Sequence, residues 1–149
     1  KTSNPHNSNS KADPKNKASN ITIIRSIPAS KFPMYLIKMK SSGEEAIMKI
    51  FSLEEDHIVG AFNRETTLIK LSHPNIIPIL DVCKSRKTIL NGKKTNVAYI
   101  ITELCPYGDF AKIVESPIFA LKNNSDKLIR TYFHQLINGL EYIHSQGIA

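Results

Sequence analysis

The stretch YIITELCPYGDF, Tyr99 to Phe110, is where the chain changes character. A run of β-formers ends at Thr102-Glu103, passes through Leu104-Cys105-Pro106, and reaches Gly108-Asp109 as helical periodicity begins. Sheet-forming segments lie before it and helices after it. An extended connector of this kind exposes backbone N–H and C=O groups, which can read the edge of a planar base between flanking apolar side chains. The same residues also suit a plain strand-to-helix loop in which Asp109 caps the helix.

Upstream, the runs ITIIRSI, MYLIKM and EEAIMKIF predict a three-strand meander, with SSG at Ser41 to Gly43 as one of its turns. Glu55 to Leu71 predicts a helix, because Ile58, Phe62, Thr66 and Ile69 recur at three-to-four residue spacing. His73-Pro74-Asn75 ends it, since a residue before proline leaves the α region. Two more strands follow, IIPILDVC and VAYIITEL, joined by the polar stretch KSRKTILNGKKTN with its Asn91-Gly92 turn signal.

Downstream, a short helix is expected at about Asp109 to Glu115 and a long one at about Ser125 to His144. Leu128, Ile129, Tyr132, Phe133, Leu136, Ile137, Leu140 and Ile143 form the wide apolar face of the second. A helix this apolar needs more protein around it than these residues supply. The fold class is therefore α+β, a five-stranded antiparallel sheet with one inserted helix, followed by helices only. The chain starts at Lys1 and stops at Ile148-Ala149, and both ends read as cuts.

Composition narrows the function. Of 149 residues, 41% are hydrophobic and 22% charged, and no apolar run approaches the roughly eighteen residues of a membrane span. Residues 1–20 carry no large aliphatic or aromatic side chain and read as a disordered basic leader. Four lysines and one aspartate there account for +3 of the net charge of +7, and the rest is scattered, so a nucleic-acid-binding domain has only net charge in its favour. Tyr99, Phe110 and Tyr132 sit in segments better explained as core than as a stacking platform. Cys83 and Cys105 have neither C-x-x-C spacing nor a histidine arrangement for zinc, which predicts reduced thiols, an intracellular, cytoplasmic setting and no metal site. His73, His134, His144, Met34 and Met48 read as structural, and Lys84, Arg86, Lys87, Lys93 and Lys94 as a solvated basic hairpin.

Lys49 and Glu65 form the most informative pair. In AIMKIF, Ile47 and Lys49 share one face of a strand while Met48 and Ile50 share the other, so a cation leaves the sheet among apolar side chains. Glu65 follows Phe62 by three and precedes Ile69 by four, which puts a carboxylate on the apolar stripe of its helix. Pairing with Lys49 would leave neither charge buried alone. Spacing equally allows both to reach solvent, with Glu65 meeting Arg64 or Lys70.

In order along the chain, AIMKIF resembles the V-A-I-K strand of protein kinases, RETTLIKLSHPNII their first helix and the loop after it, and YIITELCPYGDF the strand and hinge between their lobes. RTYFHQLINGLEYIHSQGIA resembles the helix that leads into the kinase catalytic loop. The resemblance runs from about Ile21 to Ala149, and implies an N-lobe with hinge over 21–107 and the start of a C-lobe over 108–149. It implies an ATP-dependent enzyme that phosphorylates serine or threonine hydroxyls of a protein substrate, with Mg²⁺ ligands and the catalytic base expected after Ala149, so that these residues alone are expected to be inactive. Lys49 would hold the α- and β-phosphates, Glu65 would orient that lysine, and Thr102 would stand at the back of the adenine pocket. Backbone groups of Glu103 and Cys105 would meet the adenine edge, Ile47 and Leu104 would line its slot, and Asp109 would lie near the ribose.

The chain departs from the family pattern in three places. Where G-x-G-x-x-G should lie between the first two strands it has Pro28, Ser30 and Pro33, with Phe32 at the tip, and proline offers phosphate no N–H. Ile47 replaces the usual alanine and crowds the adenine slot. Glu65 lies one residue closer to His73-Pro74-Asn75 than is usual, a shift expected to weaken its pairing with Lys49. These departures support a second reading, a kinase-like scaffold that binds nucleotide weakly or not at all.

Overall fold

Alternation along the third strand organises the molecule: Ala46, Met48 and Ile50 belong to one apolar cluster and Phe51 to another, on the opposite face. The structure, a computed structural model, describes residues 20–28, 31–90, 92–117 and 125–148. Nearly all of the basic leader, Ser30 of the loop, Asn91 of the predicted turn and Ala149 lie outside the described residues.

Strands β1 (Ile21–Ile27), β2 (Met34–Met39) and β3 (Glu45–Ser52) form the predicted meander, and β4 (Ile79–Leu90) pairs with β5 (Lys93–Glu103). All pairings are antiparallel and the order is β1-β2-β3-β5-β4, so β5 returns to lie between β3 and β4. The α+β expectation holds. One correction concerns β4, which begins at Ile79, three residues later than Ile76, and runs on through Lys84 to Leu90. The stretch from Lys84 to Asn96, read as a polar connector, is paired strand almost throughout, since Arg86, Lys87 and Thr88 face Val97, Asn96 and Thr95 across a ladder. Its outer part is polar because it stands in solvent, and backbone pairing does not require apolar side chains.

One face of the sheet buries Ile37, Ala46, Met48, Ile50, Val97, Tyr99 and Ile101. Tyr99 is only 5% exposed there, and burial, helped by Cys83 and Asp81 beside it, pushes its phenol from 10.0 up to about 12. A group whose pKa is raised on folding stabilises the fold fully below its unfolded value, and that contribution is lost as pH climbs through the folded value. Between about pH 10 and 12 the protein should therefore lose on the order of 2 kcal/mol that a Tyr99→Phe variant retains. Urea midpoints of the two proteins that fall in parallel from pH 9 to 12 would contradict this.

Helix α1 (Asp56–Thr66) crosses the opposite face, where Phe62 joins Phe51, Ala98 and Ile100. It stops short of Leu71 because the hydroxyls of Thr66 and Thr67 donate to the carbonyls of Asn63 and Arg64, and the chain tightens into a 3-10 turn over Thr67–Lys70. Ile69, read as part of the buried stripe, is accordingly 48% exposed.

Beyond the connector, α2 (Phe110–Val114) and α3 (Ser125–Ser145) match the two expected helices. The α3 helix docks on the segment after α1: His73 stacks on Tyr142 with ring centroids 5.0 Å apart, and the Tyr142 hydroxyl accepts from the Ser72 N–H at 3.2 Å. Gly139 makes this approach feasible, since a Cβ there would lie 3.1 Å from the Asn75 carbonyl oxygen. Much of the apolar face of α3 stays exposed, Phe133 by 60% and Leu136 by 64%. Among the described residues no helix is long and apolar enough to cross a membrane.

Candidate functional site

Residues opposite one another in a ladder share a face, and Ile47, Lys49 and Phe51 of β3 lie opposite Thr102, Ile100 and Ala98 of β5. Lys49 therefore rises from an apolar floor. The α1 helix lies over that floor, with the Phe62 ring edge-on to Phe51 at 5.4 Å, and Glu65, one turn further on, comes down beside the lysine. Lys49 Nζ donates to Glu65 Oε1 at 2.5 Å.

This geometry decides between the alternatives left open by spacing: Glu65 meets the strand lysine, across 16 residues of chain. The one-residue shift toward His73 does not unseat the pair. A 3-10 turn rises about 2.0 Å per residue against 1.5 Å in an α-helix, so the four residues Thr67–Lys70 span about 2 Å more than four α-helical ones and make up for one residue of helix. The two side chains are 25% and 36% exposed, so the pair adds little to stability.

Two aromatic rings complete the surroundings of Lys49. Its Nζ lies 4.7 Å from the centroid of Phe32 and 5.1 Å from that of Phe51, while the two rings pack against each other at 4.9 Å. Sequence reasoning placed Phe32 at the tip of a loop and gave Phe51 no part in the site. Period-two alternation could have found Phe51, which is two residues from Lys49 on the same face, but no local pattern reports the inward turn of Phe32.

The other predicted residues lie on β3, at the end of β5 and in the connector that follows it. Ile47 and Thr102 are ladder partners, half-buried side by side. The Glu103 N–H donates to the Pro78 carbonyl at 3.4 Å, which ties the connector to the start of β4. The Cys105 carbonyl accepts from the Gly108 N–H at 3.2 Å, and among the described residues the Cys105 N–H makes no backbone hydrogen bond. Leu104 is half-buried and Cys105 exposed. Asp109 does cap α2, with Oδ1 accepting from the Lys112 N–H at 3.0 Å, which occupies one of its two carboxylate oxygens.

A cleft of about 1160 Å³ lies between the segment Leu71 to Pro78, the connector and the apolar face of α3. Neither Lys49 nor Thr102 lines it, whereas Glu103, Leu104 and Cys105 of the connector do. Among the described residues no three His, Cys, Asp or Glu side chains gather as metal ligands.

A family model described as the protein kinase domain matches residues 33–149, beginning at the last residue of the loop that lacks glycine. CBL-interacting protein kinase 26 of Oryza sativa subsp. japonica is 29% identical over 77% of this chain and 21% of its own length. CBL-interacting serine/threonine-protein kinase 9 of Arabidopsis thaliana is 34% identical over 72% and 22%, and calcium-dependent protein kinase 6 of Plasmodium berghei 31% identical over 69% and 6%. The chain spans about a fifth of the length of the first two of these curated relatives.

Proposed function

Since the chain belongs to the protein kinase family, we propose that residues 21–107 are its nucleotide-binding lobe and that the whole protein transfers the γ-phosphoryl group of ATP to serine or threonine hydroxyls of a protein substrate. The observation that carries this reading is the Lys49–Glu65 contact on the sheet face that leads into the connector. Transfer of a phosphoryl group asks the protein mainly for position and charge, and a lysine held by a carboxylate supplies both.

In this proposal Lys49 neutralises phosphate oxygens while Glu65 keeps its ammonium from swinging to solvent. Thr102, small and opposite Ile47, stands at the back of the adenine slot, and Ile47 and Leu104 help line it. The Glu103 carbonyl accepts from the exocyclic amine and the Cys105 N–H donates to a ring nitrogen. Asp109 keeps one carboxylate oxygen for a ribose hydroxyl beyond its cap bond. Mg²⁺ would screen the phosphates when it enters with ATP, and it is assigned no ligand among the described residues.

Competition binding tests the reading. Adenosine and ATP-Mg²⁺ should displace the same fluorescent ATP analogue from the protein, ATP the more tightly because only it reaches Lys49. No displacement by either compound at millimolar concentration would remove the reading. The missing glycines at Pro28, Ser30 and Pro33 favour a second one, a kinase-like scaffold. Nucleotide binding by the whole protein, with no phosphate incorporated into a serine- and threonine-rich substrate, would select that scaffold.

A further inference from the structure

We propose that Phe32 caps Lys49 and competes with nucleotide phosphates for its ammonium group, so that the site in its free form is closed by the chain's own loop residue. The inference rests on the ATP-site reading above. It starts from the placement of Pro33, whose carbonyl accepts the Ile50 N–H at 2.9 Å, immediately beside Lys49 on β3. A residue that precedes proline is held in extended backbone, so Phe32 is steered from a fixed neighbour. Its ring lands on Phe51 at 4.9 Å and over Lys49 Nζ at 4.7 Å, packed against the cluster of Phe51, Phe62, Ala98 and Ile100.

The ammonium group thus has the Glu65 carboxylate on one side and two aromatic rings on others, and the Lys49 side chain keeps 25% of its exposure. A phosphate oxygen must come within about 2.7–2.9 Å of the nitrogen to form a charge-assisted hydrogen bond. The space that Phe32 fills is then unavailable to it. The ring's negative face already serves the cation, and it offers phosphate only repulsion and bulk. A glycine-rich loop in this position would present N–H groups to the ligand, whereas Pro33 and Phe32 present a ring.

The test compares the wild-type chain with Phe32→Ala and with Phe32→Leu, which keeps apolar packing on Phe51 but has no π face. ATP-Mg²⁺ and adenosine are titrated into each, and the rate at which a water-soluble acylating reagent modifies Lys49 is followed by peptide mass spectrometry. Phe32→Ala should tighten ATP by about fivefold, the worth of one cation–π contact of about 1 kcal/mol. Adenosine should stay within about twofold, since it has no phosphate to meet the ring. Lys49 should be acylated several times faster, with Phe32→Leu showing smaller changes in the same direction. Unchanged or weaker ATP binding while adenosine still binds would overturn the cap and leave the ATP site standing. If neither compound binds any of the three proteins, the ATP-site reading falls and the competition falls with it, whereas an unchanged acylation rate in proteins that bind both ATP and adenosine overturns the cap alone.

Discussion

Replacing Phe51 by alanine should remove about 3–5 kcal/mol of stability, the usual cost of deleting a buried aromatic ring. Phe51 is 0% exposed and stands between Phe32 at 4.9 Å and Phe62 at 5.4 Å, so its removal leaves a hole bounded by β3, β5 and α1 at once. Neighbours cannot easily fill that hole, because Phe62 is fixed by its helix and Ala98 and Ile100 by β5, which is paired along both edges. Since small domains hold only about 5–15 kcal/mol in total, this loss is a large share of what keeps the fold together. Phe51→Leu, closer in volume, should lose about 1–1.5 kcal/mol. Urea denaturation followed by circular dichroism gives both numbers, and a loss below about 1 kcal/mol for Phe51→Ala would mean that α1 is not held to the sheet through this ring.

The reach of sequence reasoning follows from how local each signal is. The β3 alternation and the Asn91-Gly92 turn are short-range signals, and the faces of β3 and the pairing of β4 with β5 followed from them. The length of that hairpin did not, since solvated strand residues such as Arg86 and Lys87 are polar like a loop and only their cross-strand partners distinguish them. Helix α1 was legible through Phe62 and Ile58, whereas its early end depended on threonine hydroxyls turning back to carbonyls three residues before.

The site divides in the same way. That Lys49 leaves an apolar face could be read from period two, but its choice of Glu65 over solvent depends on where α1 crosses β3. Asp109 was legible as a cap because capping is local, and the structure finds it there. The position of Phe32 was not legible: the loop could be seen to lack glycine, yet a missing residue type does not say what its replacement will touch.

Lys49→Met should reduce ATP affinity by about 10- to 100-fold while adenosine affinity changes by less than about twofold, because a charge-assisted hydrogen bond to phosphate contributes about 1.5–3 kcal/mol. Methionine suits the purpose, since its unbranched chain can lie against Phe32 and Phe51 as the lysine stem does, and sulfur near a ring is well tolerated. Glu65 then loses its partner, but at 36% exposure it can be hydrated, so the fold should survive with a loss of about 1 kcal/mol or less. Glu65→Gln separates position from charge: it keeps the lysine and a hydrogen-bond acceptor, and ATP affinity should fall by less than in Lys49→Met. The capping by Phe32 adds a sharper expectation, because a lysine partly covered by a ring cannot give its full strength to phosphate. In a Phe32→Ala background the Lys49→Met loss should therefore exceed the loss measured with Phe32 present. Losses equal within error would mean that the two residues do not compete for the same phosphate, and equal losses of ATP and adenosine would mean that Lys49 holds the shape of the slot and makes no contact with phosphate.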